Sequence, residues 1–470
     1  MKEETVVHDQ TGREIILSDI YDFLTEKIIS KWYPLVLDKD SGGYYSNLSN
    51  RWEITPLQDK MIVSQARHIW TLSAVAGFLE NREPYLKYAN HGFEFLKNKM
   101  WDQTHGGFYQ IRDRDGGFTL TEGWRDEKRA YGNAFGIYSL AALYRETKNP
   151  EVLGFAIKAF DWLDSHAHDK INRGYFQFIE QNGNPFDKTS LYKSVASDAV
   201  EVGYKDQNSS IHLLEAFTEL YQVWQDPILK NRLEMMLELI RDKMVTPKGY
   251  LRLFFDNEWT PETRLLHNTQ FSKDDYRLDH ISFGHDYETA FLMLEASHAL
   301  NIKNDIKTLT IAKKMVDHSL EVGWDHENGG FYDGSYYFSD DKCTVLKSTK
   351  NWWAQAEGLN ILMLMSKIFP HEEKYGIYFD KLWNYVKTYL LDRENGDWFE
   401  GGIDREPNFK TGPKSHIWKC TYHTSRAMIN VISVLAENDD ELVKIHPGIL
   451  AKKVKTDEFI SHWNKVAESL

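Results

Sequence analysis

Gly43-Tyr44-Tyr45, Gly107-Phe108-Tyr109, Gly174-Tyr175-Phe176, Gly249-Tyr250-Leu251, Gly330-Phe331-Tyr332 and Gly396-Asp397-Trp398-Phe399 are six versions of one phrase. A glycine, usually after an Asp or Asn, is followed by aromatic residues or a Tyr-Leu pair. The intervals are 64, 67, 75, 81 and 66 residues, each room for two helices of about four to six turns and two connections. Repetition at such a period is the signature of stacked identical units.

Between the phrases the apolar spacing is helical. Ile69, Leu72, Ser73, Ala76 and Leu79 recur at three and four residues, as do Ala134, Ile137, Tyr138, Ala141 and Tyr144. Comparable runs, all without Pro, cover 211–224, 290–300, 354–368 and 424–435. Paired helices closed by a short aromatic strand-like turn make six hairpins, and six hairpins in a ring make an all-α (α/α)6 barrel. The more apolar helix of each pair lies inside, and its end frames a central pocket. The expected organisation is one domain over 1–470, with an N-terminal tail at 1–15 and a C-terminal extension at 441–470. Two polar stretches, 181–206 and 256–282, lengthen the third and fourth intervals. Both read as surface loops, and the second, immediately before a His-bearing helix, also as a lid over a site.

Composition narrows the function. The chain has 470 residues, 56 Lys plus Arg against 70 Asp plus Glu and a net charge of −14, which disfavours nucleic acid and anionic membrane surfaces as partners. Two cysteines, Cys343 and Cys420, make neither a disulfide framework nor a four-Cys zinc site. With no secretory signal and no long apolar run, a soluble cytoplasmic protein is expected. Phosphate loops and dinucleotide fingerprints are absent, so no cofactor is expected.

Three histidines stand out. His212 and Glu215, like His285 and Glu288, lie three apart on one helix face, and His423 follows Trp418-Lys419-Cys420-Thr421-Tyr422. Each sits near the entry of an inner-type helix. A Glu one turn along can fix an imidazole tautomer and raise its basicity, as a general base requires. The same residues could ligate a divalent ion, but they form neither His-Glu-x-x-His nor a Cys pair, so no metal is expected. A glycosidase would need opposed carboxylates, with Asp206 and Glu357 the nearest candidates. A non-catalytic sugar-binding protein is the third class. Arg67, Tyr131, the Trp352-Trp353 pair and Trp418 form an aromatic and basic set suited to a pyranose ring.

In order along the chain, Arg67 with Trp70, Tyr131-Gly132-x-Ala134-Phe135, Asn208 to Glu215, Ser282-Phe283-Gly284-His285-Asp286-x-Glu288, Trp352-Trp353-x-Gln355-Ala356-Glu357 and Trp418-Lys419-Cys420-x-Tyr422-His423 resemble the N-acylglucosamine 2-epimerase superfamily, in particular its cellobiose 2-epimerase branch. The resemblance implies metal- and nucleotide-independent epimerisation of a reducing-end aldose through a cis-enediol. It implies His285 and His423 as the acid/base pair on opposite faces of C2, with His212 assisting ring opening. Arg67, Tyr131 and Asn208 would hold the sugar hydroxyls, Trp353 and Trp418 would stack on the ring, and Glu288 and Glu357, with Glu215 in support, would orient the histidines. Phe291, Ser210, Thr421 and Thr424-Ser425 depart from the cellobiose-type pattern. Phe291, expected to touch substrate, replaces the usual Trp, which makes a mannose 2-epimerase or a mannose isomerase the alternatives.

Overall fold

Each repeated phrase is the exit from a tight turn that follows an outer helix. At Gly107 φ is +76°, and a Cβ there would lie 2.6 Å from the Trp162 ring, so only glycine lets the turn close against the neighbouring hairpin. The computed structural model describes residues 10–121, 124–186, 202–263, 279–339 and 341–470.

In chain order, α1 (Gln10–Asp22), a π-helical turn (Phe23–Ile29) and α2 (Ser30–Trp32) come first. Five helix pairs follow: α3 (Ile62–Phe78) with α4 (Glu83–Phe95), α5 (Ala130–Thr147) with α6 (Pro150–His166), α7 (Gln207–Val223) with α8 (Pro227–Leu239), α9 (Phe283–Ala299) with α10 (Ile306–Val322), and α11 (Trp352–Ile368) with α12 (Lys374–Tyr389). The chain ends with α13 (Tyr422–Leu435), α14 (Glu441–Ile445) and α15 (Pro447–Ala467). Helices α3, α5, α7, α9, α11 and α13 touch in that order and α13 returns to α3, closing an inner ring. The even-numbered helices α4 to α12 form the outer ring, and α1 completes it against α13. Burial explains the division. In α11, 15 of 17 residues are buried, so it needs protein on every side, whereas α12 buries only one stripe, 7 of 16 residues. The expected all-α (α/α)6 barrel is the observed fold.

Short antiparallel strands set the ring's register. Strand β1 (Lys60–Met61) pairs with β2 (Ile111–Arg112), β3 (Lys128–Arg129) with β4 (Phe178–Ile179), β5 (Lys205–Asp206) with β6 (Phe254–Phe255), and β7 (Ile281–Ser282) with β8 (Gly334–Ser339), which also pairs with β9 (Lys342–Lys347). A Leu48–Ser415 bridge joins last to first. The odd-numbered strands β1 to β7 lead directly into inner helices, so the N-terminal ends of those helices share one layer at one end of the barrel.

A buried lysine locks five of the six turns. Lys60 reaches Asp38 at 2.9 Å, Lys128 Asp102 at 2.8 Å, Lys205 Asp169 at 2.8 Å, Lys350 Asp325 at 2.7 Å and Lys414 Asp392 at 2.6 Å. Each ammonium also donates to a carbonyl of its own turn, from Gly42, Gly106, Arg173, Gly329 and Gly396 respectively. In the fourth hairpin Thr246 begins the turn and Ile281 takes the lysine's place. Removing one partner of a buried pair strands the other, which costs about 3–5 kcal/mol. Lys128→Met is therefore expected to lower unfolding stability by that amount in urea titration, and a loss below about 1 kcal/mol would show that the lock is dispensable.

One boundary differs from expectation. Residues 10–15 are not tail but the start of α1, because Arg13 pairs with Asp440 at 2.9 Å and donates to Leu435 O at 2.8 Å. The extension at 441–470 folds as α14 and α15, and α15 packs across α3, α10, α11 and α13. Most of the two long loops, including the expected lid, falls at 187–201 and 264–278, outside the described residues. Both cysteines are free. Among the described residues no helix is long and apolar enough to cross a membrane.

Candidate active site

The layer of inner-helix N-termini surrounds a cavity of about 430 Å³. Arg67, Tyr131, Asn208, His212, His285, Glu288, Trp353, Trp418 and His423 all line it. Every one of these on a helix lies in its first or second turn, so the partial positive charge of several helix ends converges on the cavity. That field favours an anion forming inside.

His423 is held from behind. Its Nδ1 lies 2.7 Å from Glu357 Oε1, which fixes the Nδ1–H tautomer and leaves Nε2 free to act as a base. His212 repeats the device with Glu215 Oε2 at 2.8 Å from Nδ1. His285 does not. Although Glu288 is one turn along, His285 Nδ1 meets the Ser282 hydroxyl at 2.7 Å, and Glu288 turns to Arg426 at 2.5 Å. The expectation that Glu288 orients His285 is thus corrected: Glu288 Oε1 is 3.9 Å from His423 Nδ1, and its Oε2 is 4.0 Å from His212 Nε2. A hydroxyl can donate or accept, so Ser282 serves His285 in either protonation state. The Trp353 ring centre lies 4.8 Å from that of His285 and 5.7 Å from that of His423, so both imidazoles face one indole.

Arg426, one turn after His423, organises the floor. Its guanidinium donates to Glu215, to Glu288 at 2.5 Å and to Glu357 at 2.6 Å. Tyr422 donates its hydroxyl to Glu215. Despite burial, Arg426 and His212 hold the Glu215 carboxyl well below its usual range. Burial raises Glu357 in spite of Arg426. From the neighbouring α3 the Arg67 side chain covers the Phe135 ring at 4.4 Å and donates to Tyr131 OH at 3.2 Å. His416 is 3.1 Å from Glu400 beside Trp418, and both line the cavity.

Phe291, expected on the sugar, is elsewhere. Six residues beyond His285 on α9, it lies about 9 Å further along the helix axis, beneath Arg426 at 6.0 Å, and lines a different cavity. The glycosidase pair is also not formed. Asp206 caps α7, accepting from Ser209 N at 2.8 Å and Ser209 Oγ at 2.7 Å, and Glu357 is committed to His423 and Arg426. Two donor sets, His212-Glu215-Glu288 and Glu288-Glu357-His423, each gather ligand atoms within 4.8 Å. The guanidinium already supplies the cation these carboxylates need and would repel a second one.

Sequence reading missed Arg426, Ser282, Tyr422, Glu400 and His416. Arg426 carried a usable signal, its three-residue spacing from His423. Ser282 stands three before His285 in the same way.

Burial pushes His285 down to about 4, and burial with Arg67 and Arg426 nearby drives His423 well below its ordinary value. Both rings are then neutral at pH 7, and protonation on acidification removes the base. The expected profile of kcat/KM is flat around neutrality, falling on the acid side with a midpoint well below 6.5. An acid limb centred at 6.5 or above would contradict these environments.

The family model for N-acylglucosamine 2-epimerase (GlcNAc 2-epimerase) matches residues 43–427. A protein named cellobiose 2-epimerase from Ruminococcus albus is 30% identical over 426 residues, covering 89% of this chain and 99% of its own length. A D-mannose isomerase from Marinomonas mediterranea is 25% identical over 415 residues, 87% of this chain and 95% of its own. The solved structure of a cellobiose 2-epimerase from Bacillus thermoamylovorans superposes with a TM-score of 0.76 at 24% identity, over 89% of this chain and 99% of that one, a likeness of fold. With a family match running from the first turn phrase into α13, the chain belongs to the N-acylglucosamine 2-epimerase family.

Proposed function

We propose that the protein is a sugar 2-epimerase that interconverts glucose- and mannose-configured reducing ends without metal or nucleotide. The observation that carries this reading is the pair of imidazoles, His285 and His423, in one cavity with their ring centres 4.8 and 5.7 Å from that of Trp353. Epimerisation needs the C2 proton taken from one face and a proton returned to the other. His423, with Nδ1–H fixed on Glu357, offers Nε2 as one base. His285, beside the adaptable Ser282 hydroxyl, takes up a solvent proton once the enediolate's negative charge has raised its proton affinity and delivers it to the opposite face of C2, while His423 releases to solvent the proton it removed. His212 promotes ring opening by moving a proton at the ring oxygen or the C1 hydroxyl. The enediolate that forms between the two transfers carries negative charge, and the inner-helix N-termini with Arg67 stabilise it. Arg67, Tyr131 and Asn208 bind hydroxyls, while Trp353 and Trp418 cover the apolar ring face.

A second reading moves the returned proton to C1, giving the ketose, and the D-mannose isomerase relative favours it. Product analysis separates the two. Cellobiose, mannobiose, glucose, mannose and N-acetylglucosamine are incubated with enzyme and the products resolved by NMR. A new C2 epimer is expected, ketose as the main product would support isomerisation, and no change in any sugar would defeat both. Exhaustive treatment with EDTA is expected to leave the rate unchanged, since Arg426 supplies the charge a divalent ion would bring. Loss of activity restored by an added divalent ion would assign the carboxylates to metal instead.

A further inference from the structure

A second cavity, of about 370 Å³, lies toward the opposite end of the barrel. Its walls come from α7, α9, α11 and α13, with α15 across them. Ten residues separate His285 from Glu295 on α9, about 15 Å along the helix axis, and Phe291 with Arg426 fills the layer between.

Three features distinguish this space from a packing void. Asn360 is 3% exposed. Its Oδ1 accepts from Asn430 at 3.1 Å, while its Nδ2 is buried without a hydrogen-bond partner, a costly state unless something else fills it. Glu295 of α9 and Lys452 of α15 both border the same space. Burial pushes the Glu295 carboxyl up to about 7 against the pull of Lys452, and burial lowers Lys452 against the pull of Glu295. Finally, Phe291 and Phe459 present aromatic rings to the cavity. Helix α15 lies beyond residue 427, where the family match ends, so this wall comes from chain outside it.

We infer that this cavity binds a small neutral polyhydroxylated molecule, a sugar or sugar alcohol of about one ring's size, through Asn360, Glu295 and Lys452. A hydroxyl accepts from the Asn360 amide or the Lys452 ammonium and donates to the Glu295 carboxyl, so one chemical group satisfies all three. The two phenyl rings suit the C–H faces of such a molecule. An anion would meet Glu295, and a cation would meet Lys452. A purely apolar occupant would leave Asn360 unmet. The volume is at the small end of ligand cavities.

The test is calorimetric titration of the full chain with D-glucitol, which has no reducing end to react. Trp353→Ala, at the other end of the barrel, is expected to retain a D-glucitol site. Asn360→Leu and Lys452→Met are expected to weaken that site at least about tenfold. Lys452 is half-buried on α15, whereas Asn360 is buried within the inner ring, so the Lys452 variant keeps the test decisive should Asn360→Leu fail to fold. Soaked crystals should place the polyol beside Asn360. Wild type that shows no D-glucitol binding with a Kd below about 1 mM, near −4 kcal/mol, or Lys452→Met that binds it as wild type does, would overturn the assignment. So would sodium acetate binding that depends on Lys452 in the absence of D-glucitol binding.

Discussion

Replacing Arg426 by Met is expected to lower unfolding stability by about 3–5 kcal/mol, the cost of leaving buried charges without their partner. Here a single guanidinium serves Glu215, Glu288 and Glu357, which are 3%, 1% and 1% exposed. Without it these carboxyls must take up protons or draw in water. A protonated Glu357 no longer holds the His423 Nδ1–H as a carboxylate does, so turnover is expected to fall at least about tenfold in whatever fraction remains folded, by analogy with the carboxylates that orient metal-bound histidines, which contribute about 10–100-fold. Arg426→Lys should recover only part of both, because one ammonium cannot fork to three carboxylates. The urea midpoint and kcat at pH 7 decide the matter. Arg426→Met with wild-type midpoint and rate would show that the floor organises nothing.

His285→Asn and His423→Asn are each expected to lower kcat by roughly 10²- to 10⁴-fold, the usual contribution of a general acid/base group. The fold should persist, since Asn retains a polar head where Ser282 or Glu357 waits. Deuterium oxide sharpens the test. Wild-type turnover is expected to place solvent deuterium at C2 of the product, while each single variant, keeping one base, is expected to exchange substrate C2 hydrogen faster than it forms epimer. His212→Ala should lose a comparable factor on ring-closed substrate. Near-wild-type rates in all three, or product without solvent label, would end the two-base mechanism.

The turn phrases and the 3.6-residue period determined the barrel. Each hairpin is a local unit that packs only on its neighbours, so six repeats already specify a closed ring. The same local logic placed His212 with Glu215, three residues apart on one helix face. It failed for His285 and Glu288 at the same spacing, because spacing says which residues share a face and not what the next helix brings to it. Arg426 of α13 arrives from across the ring and takes Glu288 away, leaving His285 to Ser282. The buried lysine locks went unread for a related reason. Lys60 and Asp38 lie 22 residues apart, and no local period links a lysine before an inner helix to a turn after an outer one. Phe291 was misplaced because sequence position fixes how far along α9 a side chain lies, whereas the depth of the pocket is set by where Arg426 and its carboxylates close it. The C-terminal extension read only as added length. Its docking across α3, α10, α11 and α13 depends on apolar surface that exists only once the inner ring has assembled. Sequence thus determined the units and their order, and tertiary packing decided which charged groups met in the interior, where low dielectric makes each pairing obligatory.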